Sequence, residues 1–427
     1  MRVGASGAAL RNVNRSAVLR LIGHHGPLSR ADIAKRLGVT AGTVTALTRG
    51  LIESGVVRAL NMTSSSGGRP AELLGLVGSV AVAVGAKVAE DHIAVVQADL
   101  DGTVLASETV AFDAVGANPF TFLADVLEHH VREASKGHVL LGVGLGLPGF
   151  EDPYGSGVVQ APLFGWRNMP VGEHLSISLG VPVLVDNDVN TLAVAESLYG
   201  VARGIDHFIT VTIGRGVGMG LVMDGELYRG GRGAGGEFGH VCVDRDGSLC
   251  ACGKRGCLET VVSEPALVAA ARRHRYVAKD ARADDLVAKA ASGHAGVLRL
   301  YAEAGTLLGR TVAAASVVLN PLALVIGGEG TRAWPYMGEA FVEAFEADIF
   351  PPMRGATDLH VETWDDSKWA LGAASLVLRA PFLTPLHDHP TLEQIRNRLD
   401  DGAHRALPAH SAQPTHVGRP ARTVGAG

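Results

Sequence analysis

Cysteine is scarce in this chain: four in 427 residues, three of them between positions 250 and 257. So few thiols exclude a small fold stapled by disulfides. Aromatic residues make up only 5%, against 55 glycines and 47% hydrophobic residues, a balance that suggests a soluble α/β protein with many tight turns. No apolar run reads as a membrane span, and the N-terminus has no signal-peptide core, so the expected location is cytoplasmic with no membrane partner. Acidic residues are nearly missing from residues 1–70, where only Asp32 and Glu53 face ten Arg and Lys. That stretch carries +8 and leaves −13 for the remainder. A basic head on an acidic body points to a polyanion partner for the head alone. The length exceeds one ordinary domain.

The scarce cysteines are concentrated where the chain is richest in glycine. Residues 230–260 read GGRGAGGEFGHVCVDRDGSLCACGKRGCLET. His240, Cys250, Cys252 and Cys257 give His-x9-Cys-x-Cys-x4-Cys. Zinc takes four tetrahedral thiolate or imidazole ligands, and a closed set of four makes a structural site. Disulfides are the competing reading, but Cys250 and Cys252 are too close in sequence to pair comfortably. Cys242 is the rival ligand, expected instead as a reduced, buried thiol. Glu237 and Glu259 flank the ligands. On a loop pinned by metal they suit sugar hydroxyls; the bland alternative is two solvated surface acids.

GGEFGH…DGSLCACGKRGCLE resembles the signature of the ROK (repressor/ORF/kinase) family, which unites sugar kinases and sugar-responsive repressors. The resemblance implies a two-lobed, actin/hexokinase-like (ribonuclease H-like) body with a structural zinc loop, holding Zn2+ on His240, Cys250, Cys252 and Cys257. It implies sugar contacts at Glu237, His240 and Glu259. His240 would then serve zinc through one ring nitrogen and the sugar through the other.

The basic head reads as three helices. Residues 12–24 place Val13, Ala17, Val18, Leu21 and Ile22 on one face. Ser29 caps a short second helix that Gly38 ends. Thr40 opens a third, with Val44, Leu47, Leu51 and Ile52 inward. This is a helix-turn-helix pattern whose last helix reads the major groove. Thr40, Gly42, Thr43, Thr45, Ala46 and Arg49 form the candidate DNA face. VVRALNMTSSSGGRPAELLGLV predicts a wing of two short strands, with Arg69 at its tip for a phosphate or minor groove. A helical bundle with an accidental basic face is the alternative. A winged helix before a ROK body is what the family's repressors look like.

The body begins with strands over 80–112. ROK kinases carry Asp-x-Gly-Gly-Thr between the first two strands, where glycines admit ATP phosphates and the aspartate serves the metal. Aligned on Asp101-Gly102, this chain places Lys87 at the aspartate, Ala89 and Glu90 at the glycines and Asp91 at the threonine. Carboxylates there repel a triphosphate. A later buried strand ends in Asp186-Asn187-Asp188, at the strand end where α/β sheets place ligands. By resemblance Asn187 grips the sugar, and Asp188 matches the kinases' general base. Without a nucleotide site, Asp188 is expected to accept a hydrogen bond from the sugar; a plain helix cap is the alternative. Gly214–Gly220 matches the second phosphate segment, with Arg215 in place of a small residue.

The expected domains are a winged helix-turn-helix over 1–75, a first lobe over 76–200, a second lobe with zinc loop and closing helix over 201–380, and a disordered tail over 381–427. The expected function is a sugar-responsive transcriptional regulator, a repressor of carbohydrate uptake or metabolism genes and not an enzyme. Its partners are a double-stranded operator, a sugar or sugar-phosphate effector, and further copies of itself as a homodimer or tetramer. An ATP-dependent sugar kinase with a DNA-binding appendage is the competing class.

Overall fold

The computed structural model describes residues 7–60, 71–116, 118–152, 155–383 and 390–405. Short-range signals build the head. Helix Gly7–His25 leads into helix Arg30–Leu37, whose first turn is capped by Ser29 accepting from the Asp32 N–H at 3.1 Å. Gly38 ends it at φ 65°, a conformation glycine adopts without penalty. Thr40 caps helix Ala41–Glu53. Val18, Ile22, Ile33, Val44, Leu51 and Leu74 pack as a shared core. Strand Val57–Leu60 pairs antiparallel with Leu73–Leu76, and Leu28–Ser29 adds to the latter's other edge. These are the expected wing strands. The wing tip, with Arg69, lies outside the described residues.

The body holds two five-stranded sheets. The first runs, edge to edge, 183–187, 140–147, 82–88, 92–99, 104–111. Val82–Val88 and Leu140–Leu147 are buried at every residue, so they appear in the sequence as apolar runs rather than alternating strands. The second sheet runs 226–227, 217–223, 208–213, 323–327, 358–361. Helices Asp188–Leu198 and Asp366–Leu378 pack on each other between the sheets. A Cβ at Gly85 or Gly144 would collide with the backbone of the second helix at Ala370 or Ala373, so these glycines allow helix and sheet to touch.

The structure adds three details to the expected domain division. Helix Asp366–Leu378, assigned to the second lobe, packs on strands 82–88 and 140–147 of the first. The tail is not without structure: Pro390–Arg405 is a helix that buries Leu392, Ile395 and Leu399. The spacing of those three residues places them on one helical face, but the surrounding Pro, His and Gly composition hid it. The expected tail residues 384–389 and 406–427 lie outside the described residues. The head also packs on the body. Helix Gly7–His25 turns a second face to the body, where Leu19 and Ile22 join one core with Val194, Leu198, Phe208, Val222 and Phe382.

Polar contacts fasten the same joint. Arg203 donates from Nε and Nη2 to the Gly23 carbonyl at 3.2 and 3.0 Å. Arg20 pairs with Glu226 at 3.0 Å, and Arg15 with Asp400 of the tail helix at 2.8 Å. The first helix therefore touches the second lobe and the tail at once. Helix Ala295–Leu319 has the length and mean hydropathy of a membrane span, but Arg299, Glu303 and Arg310 interrupt its apolar run. Here it packs against Trp334–Asp348 and buries Tyr301, Leu308 and Val312 within the second lobe.

Candidate functional site: a carboxylate-lined cleft beside a metal-ligand cluster

The glycine-rich loop folds back on itself as its composition requires. Gly256 lies at φ 66°, and a Cβ there would collide with the Asp244 carbonyl. Lys254 Nζ donates to the His240 carbonyl at 2.7 Å. The result brings His240, Cys250, Cys252 and Cys257 together with one ligand atom each within 4.8 Å of the others. His240 Nδ1 lies 3.5 Å from Cys250 Sγ, and the Cys252 and Cys257 sulfurs are 3.6 Å apart. Tetrahedral ligands at zinc–sulfur distances of about 2.3 Å sit close to these separations. The donor set fits a divalent metal ion. Burial and the neighbouring thiols push the Cys257 pKa up to about 12, a penalty on thiolate formation that a metal ion removes. Cys242 stays outside the cluster, as expected, but it is exposed rather than buried, its thiol donating to the Arg255 carbonyl at 3.5 Å.

His240 Nε2 faces away from the cluster, toward Glu237 Oε2 at 3.7 Å. One imidazole therefore joins the ligand cluster to the cleft. Partial burial raises the Glu237 carboxyl, and the charges of Asp188 and Glu259 raise it further against His240. Glu259 begins the short helix Glu259–Val262, and its Oε2 accepts from the Val217 N–H at 3.3 Å. Asp188 opens helix Asp188–Leu198; burial raises its carboxyl, and the nearby Lys87 opposes that rise. Asn187 is partly committed to structure. Its Oδ1 caps the same helix through the Val189 and Asn190 N–H groups, and Nδ2 donates to the Gly149 carbonyl at 2.9 Å. The helix-cap alternative thus applies to Asn187 rather than to Asp188. Glu237, His240, Glu259 and Asp188 are thus neighbours, with Asn187 next to Asp188 in the chain.

Across this cleft lies a network that sequence reading reached only in part. Lys87, buried in its strand, donates Nζ to Glu329 at 3.0 Å, lies 3.9 Å from Asp366 and sits 4.4 Å over the Trp369 ring. Arg215 Nη2 spans from the second lobe to both carboxylate oxygens of Asp91, at 3.1 and 2.9 Å. His92 bridges Asp91 and Asp366. The Arg215 hydrogen bond holds Asp91 down to about 2, and its bond to Asp366 raises His92. Trp364 and Trp369 pack edge to face beside it. Lys87, Asp91 and Arg215 were singled out as departures from a phosphate loop; Glu329, Asp366 and the two tryptophans were missed. Nothing local marks them, because their partners lie far away in sequence.

Also missed was Arg229, whose Nε reaches the buried Asp186 carboxylate at 2.7 Å. It ties the start of the glycine loop to the strand that carries Asn187 and Asp188.

On the head, Thr40, Gly42, Thr43, Thr45, Ala46 and Arg49 are all exposed along the start of the third helix. Thr40 Oγ1 caps the helix through the Thr43 N–H at 3.3 Å, and Thr45 Oγ1 donates back to the Ala41 carbonyl at 2.9 Å. Gly42, Ala46 and Arg49 present a shallow surface with one cation, a shape that allows close approach to a groove.

Comparison with known proteins supplies the context. The model of the ROK family matches residues 80–380, and that of the MarR family matches residues 12–61. The xylose repressor of Bacillus subtilis is 26% identical over 371 residues, covering 86% of this chain and 96% of its own. The DNA-binding transcriptional dual regulator NagC of Escherichia coli is 29% identical over 387 residues, covering 87% and 93%. Among solved structures, a ROK family transcriptional regulator homologous to E. coli MLC superposes with a TM-score of 0.76 at 24% identity, over 92% of this chain and 100% of that one. A ROK family glucokinase from Streptomyces griseus, bound to glucose and AMPPNP, superposes at 0.60 with 27% identity, over 69% and 98%.

Proposed function

The chain belongs to the ROK family, and from that membership we propose that it is a sugar-responsive transcriptional repressor. The observation that carries the reading is the pairing of a winged helix-turn-helix with a kinase-like body whose phosphate position holds Lys87–Glu329 and Asp91–Arg215 ion pairs. Relatives named as xylose and N-acetylglucosamine repressors support it.

In this reading the effector lies between the lobes. Glu237, Glu259 and Asp188 accept hydrogen bonds from its hydroxyls, His240 Nε2 makes a further contact, and Asn187 shapes the wall near Gly149. Zn2+ is the structural metal, held by His240, Cys250, Cys252 and Cys257. It fixes the loop that carries Glu237 and Glu259, so loop order and effector binding are coupled. The operator is read by Thr40, Gly42, Thr43, Thr45, Ala46 and Arg49, with Arg69 on the wing. Two such heads in a homodimer, or in a tetramer, fit a palindromic site.

The first helix supplies a route between the sites. It packs on both lobes, so a change in lobe closure alters the angle of the head. An effector shifts that equilibrium only by its differential affinity for the two shapes, about 1–3 kcal/mol in many systems. The test is fluorescence anisotropy on DNA upstream of the protein's own gene, at fixed salt, with a panel of monosaccharides, amino sugars and their phosphates. Specific binding altered by one member supports the reading. Sugar-dependent ADP formation at an enzymatic rate would replace it with the kinase.

A further inference from the structure

We infer that the effector is an uncharged sugar, and that the cleft rejects the same sugar carrying a phosphate. The inference rests on the cleft being the effector site proposed above.

A phosphoryl group bound in a protein needs cations or N–H donors that are free to meet it. Two permanent cations between the lobes, Lys87 and Arg215, are already engaged. Lys87 Nζ is held by Glu329 at 3.0 Å, with Asp366 at 3.9 Å. Arg215 Nη2 is held by Asp91 at 2.9 Å. His92 is bracketed by Asp91 at 2.8 Å and Asp366 at 3.2 Å. Against these stand six carboxylates along the cleft: Asp91, Asp188, Glu237, Glu259, Glu329 and Asp366.

The glycine segment gives independent support. In a phosphate-binding turn, bare glycine backbone lets N–H groups approach the anion. Here the open side of Gly214 faces the Glu329 carboxylate, and that of Gly216 faces Glu259 Oε2. The Val217 N–H already donates to Glu259. Carboxylates therefore occupy the places where a phosphate would seek donors. A dianion entering would have to break an interlobe ion pair and face the freed carboxylate. A neutral polyol meets acceptors suited to its hydroxyls.

Titration calorimetry of the full chain with free sugars, their phosphate esters and the methyl ether at the same hydroxyl tests this. One free sugar should bind, and its phosphate ester should bind at least about 100-fold more weakly, as expected for a divalent anion among unpaired like charges. The methyl ether should lose much less. Glu329→Gln, which keeps a hydrogen-bonding group on Lys87 but removes a charge, should narrow the gap between ester and free sugar about tenfold, both being measured on the same variant. An ester that binds as tightly as the free sugar overturns the inference. So does a methyl ether rejected as strongly as the ester, which would make the exclusion steric. Binding of neither sugar nor ester, with operator binding intact, instead removes the effector reading beneath it.

Discussion

Arg203 directs two nitrogens onto the carbonyl of Gly23, at 3.2 and 3.0 Å, joining the chain just after the inter-sheet helix Asp188–Leu198 to the last turn of the first DNA-head helix. That helix begins at the cleft with Asp188, so one rigid element runs from the proposed effector to the head. Arg203→Ala removes two charge-assisted hydrogen bonds, an expected cost of about 1.5–3 kcal/mol in denaturant unfolding. Operator affinity without sugar should stay close to wild type, while the sugar-induced change in affinity should shrink. A full sugar response in this variant would place the coupling elsewhere.

The Arg229–Asp186 pair is buried on both sides, with side chains 10% and 5% exposed. Replacing one partner of a buried pair leaves the other charge uncompensated. Arg229→Met is therefore expected to cost about 3–5 kcal/mol by urea denaturation. Combining it with Asp186→Asn should recover part of that loss. A single variant as stable as wild type would mean that the pair is solvated in solution.

Cys250→Ser should remove the metal and loosen the loop that carries Glu237. Metal content measured by plasma emission is expected to fall from one zinc per chain to none. Tm should fall by roughly 5–10 °C, a few kcal/mol in a body of this size. Retained zinc would show that the four-ligand assignment is wrong.

Glu196 is 3% exposed in the inter-sheet helix and accepts from the Val201 N–H at 2.9 Å. Burial raises its pKa from 4.5 to about 7. Below 4.5 both folded and unfolded chains hold the proton. Between 4.5 and 7 the unfolded chain releases it while the folded chain keeps it, so this group's contribution to stability declines as pH rises through that window. Glu196→Gln keeps the acceptor and removes the titration. The stability of wild type relative to the variant should therefore fall from pH 4.5 to 7 and then level off. A constant difference would mean that Glu196 titrates normally.

The parts of the molecule legible in the sequence were those written locally. Ser29, Gly38 and Thr40 mark helix ends by their own chemistry, and the structure uses them as such. His240, Cys250, Cys252 and Cys257 lie within 18 positions, so spacing alone brought them together. Lys87 was visible as a misfit, but its partner Glu329 lies 242 residues away and no pattern links them. Separation in sequence, 180 and 43 residues, likewise hid Arg203 beside Gly23 and Arg229 beside Asp186. The first helix was read by one apolar face because helical period reports burial, not which neighbour supplies it. Leu19 and Gly23, on its other side, meet the body through Phe382 and the inter-sheet helix.

The central claim is that a sugar held between the lobes controls the DNA-binding head. It is tested most directly by operator anisotropy on wild type and Glu237→Ala side by side, titrated with the sugar that moves wild type. The account predicts equal operator affinity without sugar, and a response in wild type that is absent from the variant at the same concentrations. A variant that binds the operator normally and still responds like wild type would contradict it, and would move the effector out of the cleft that Glu237 lines.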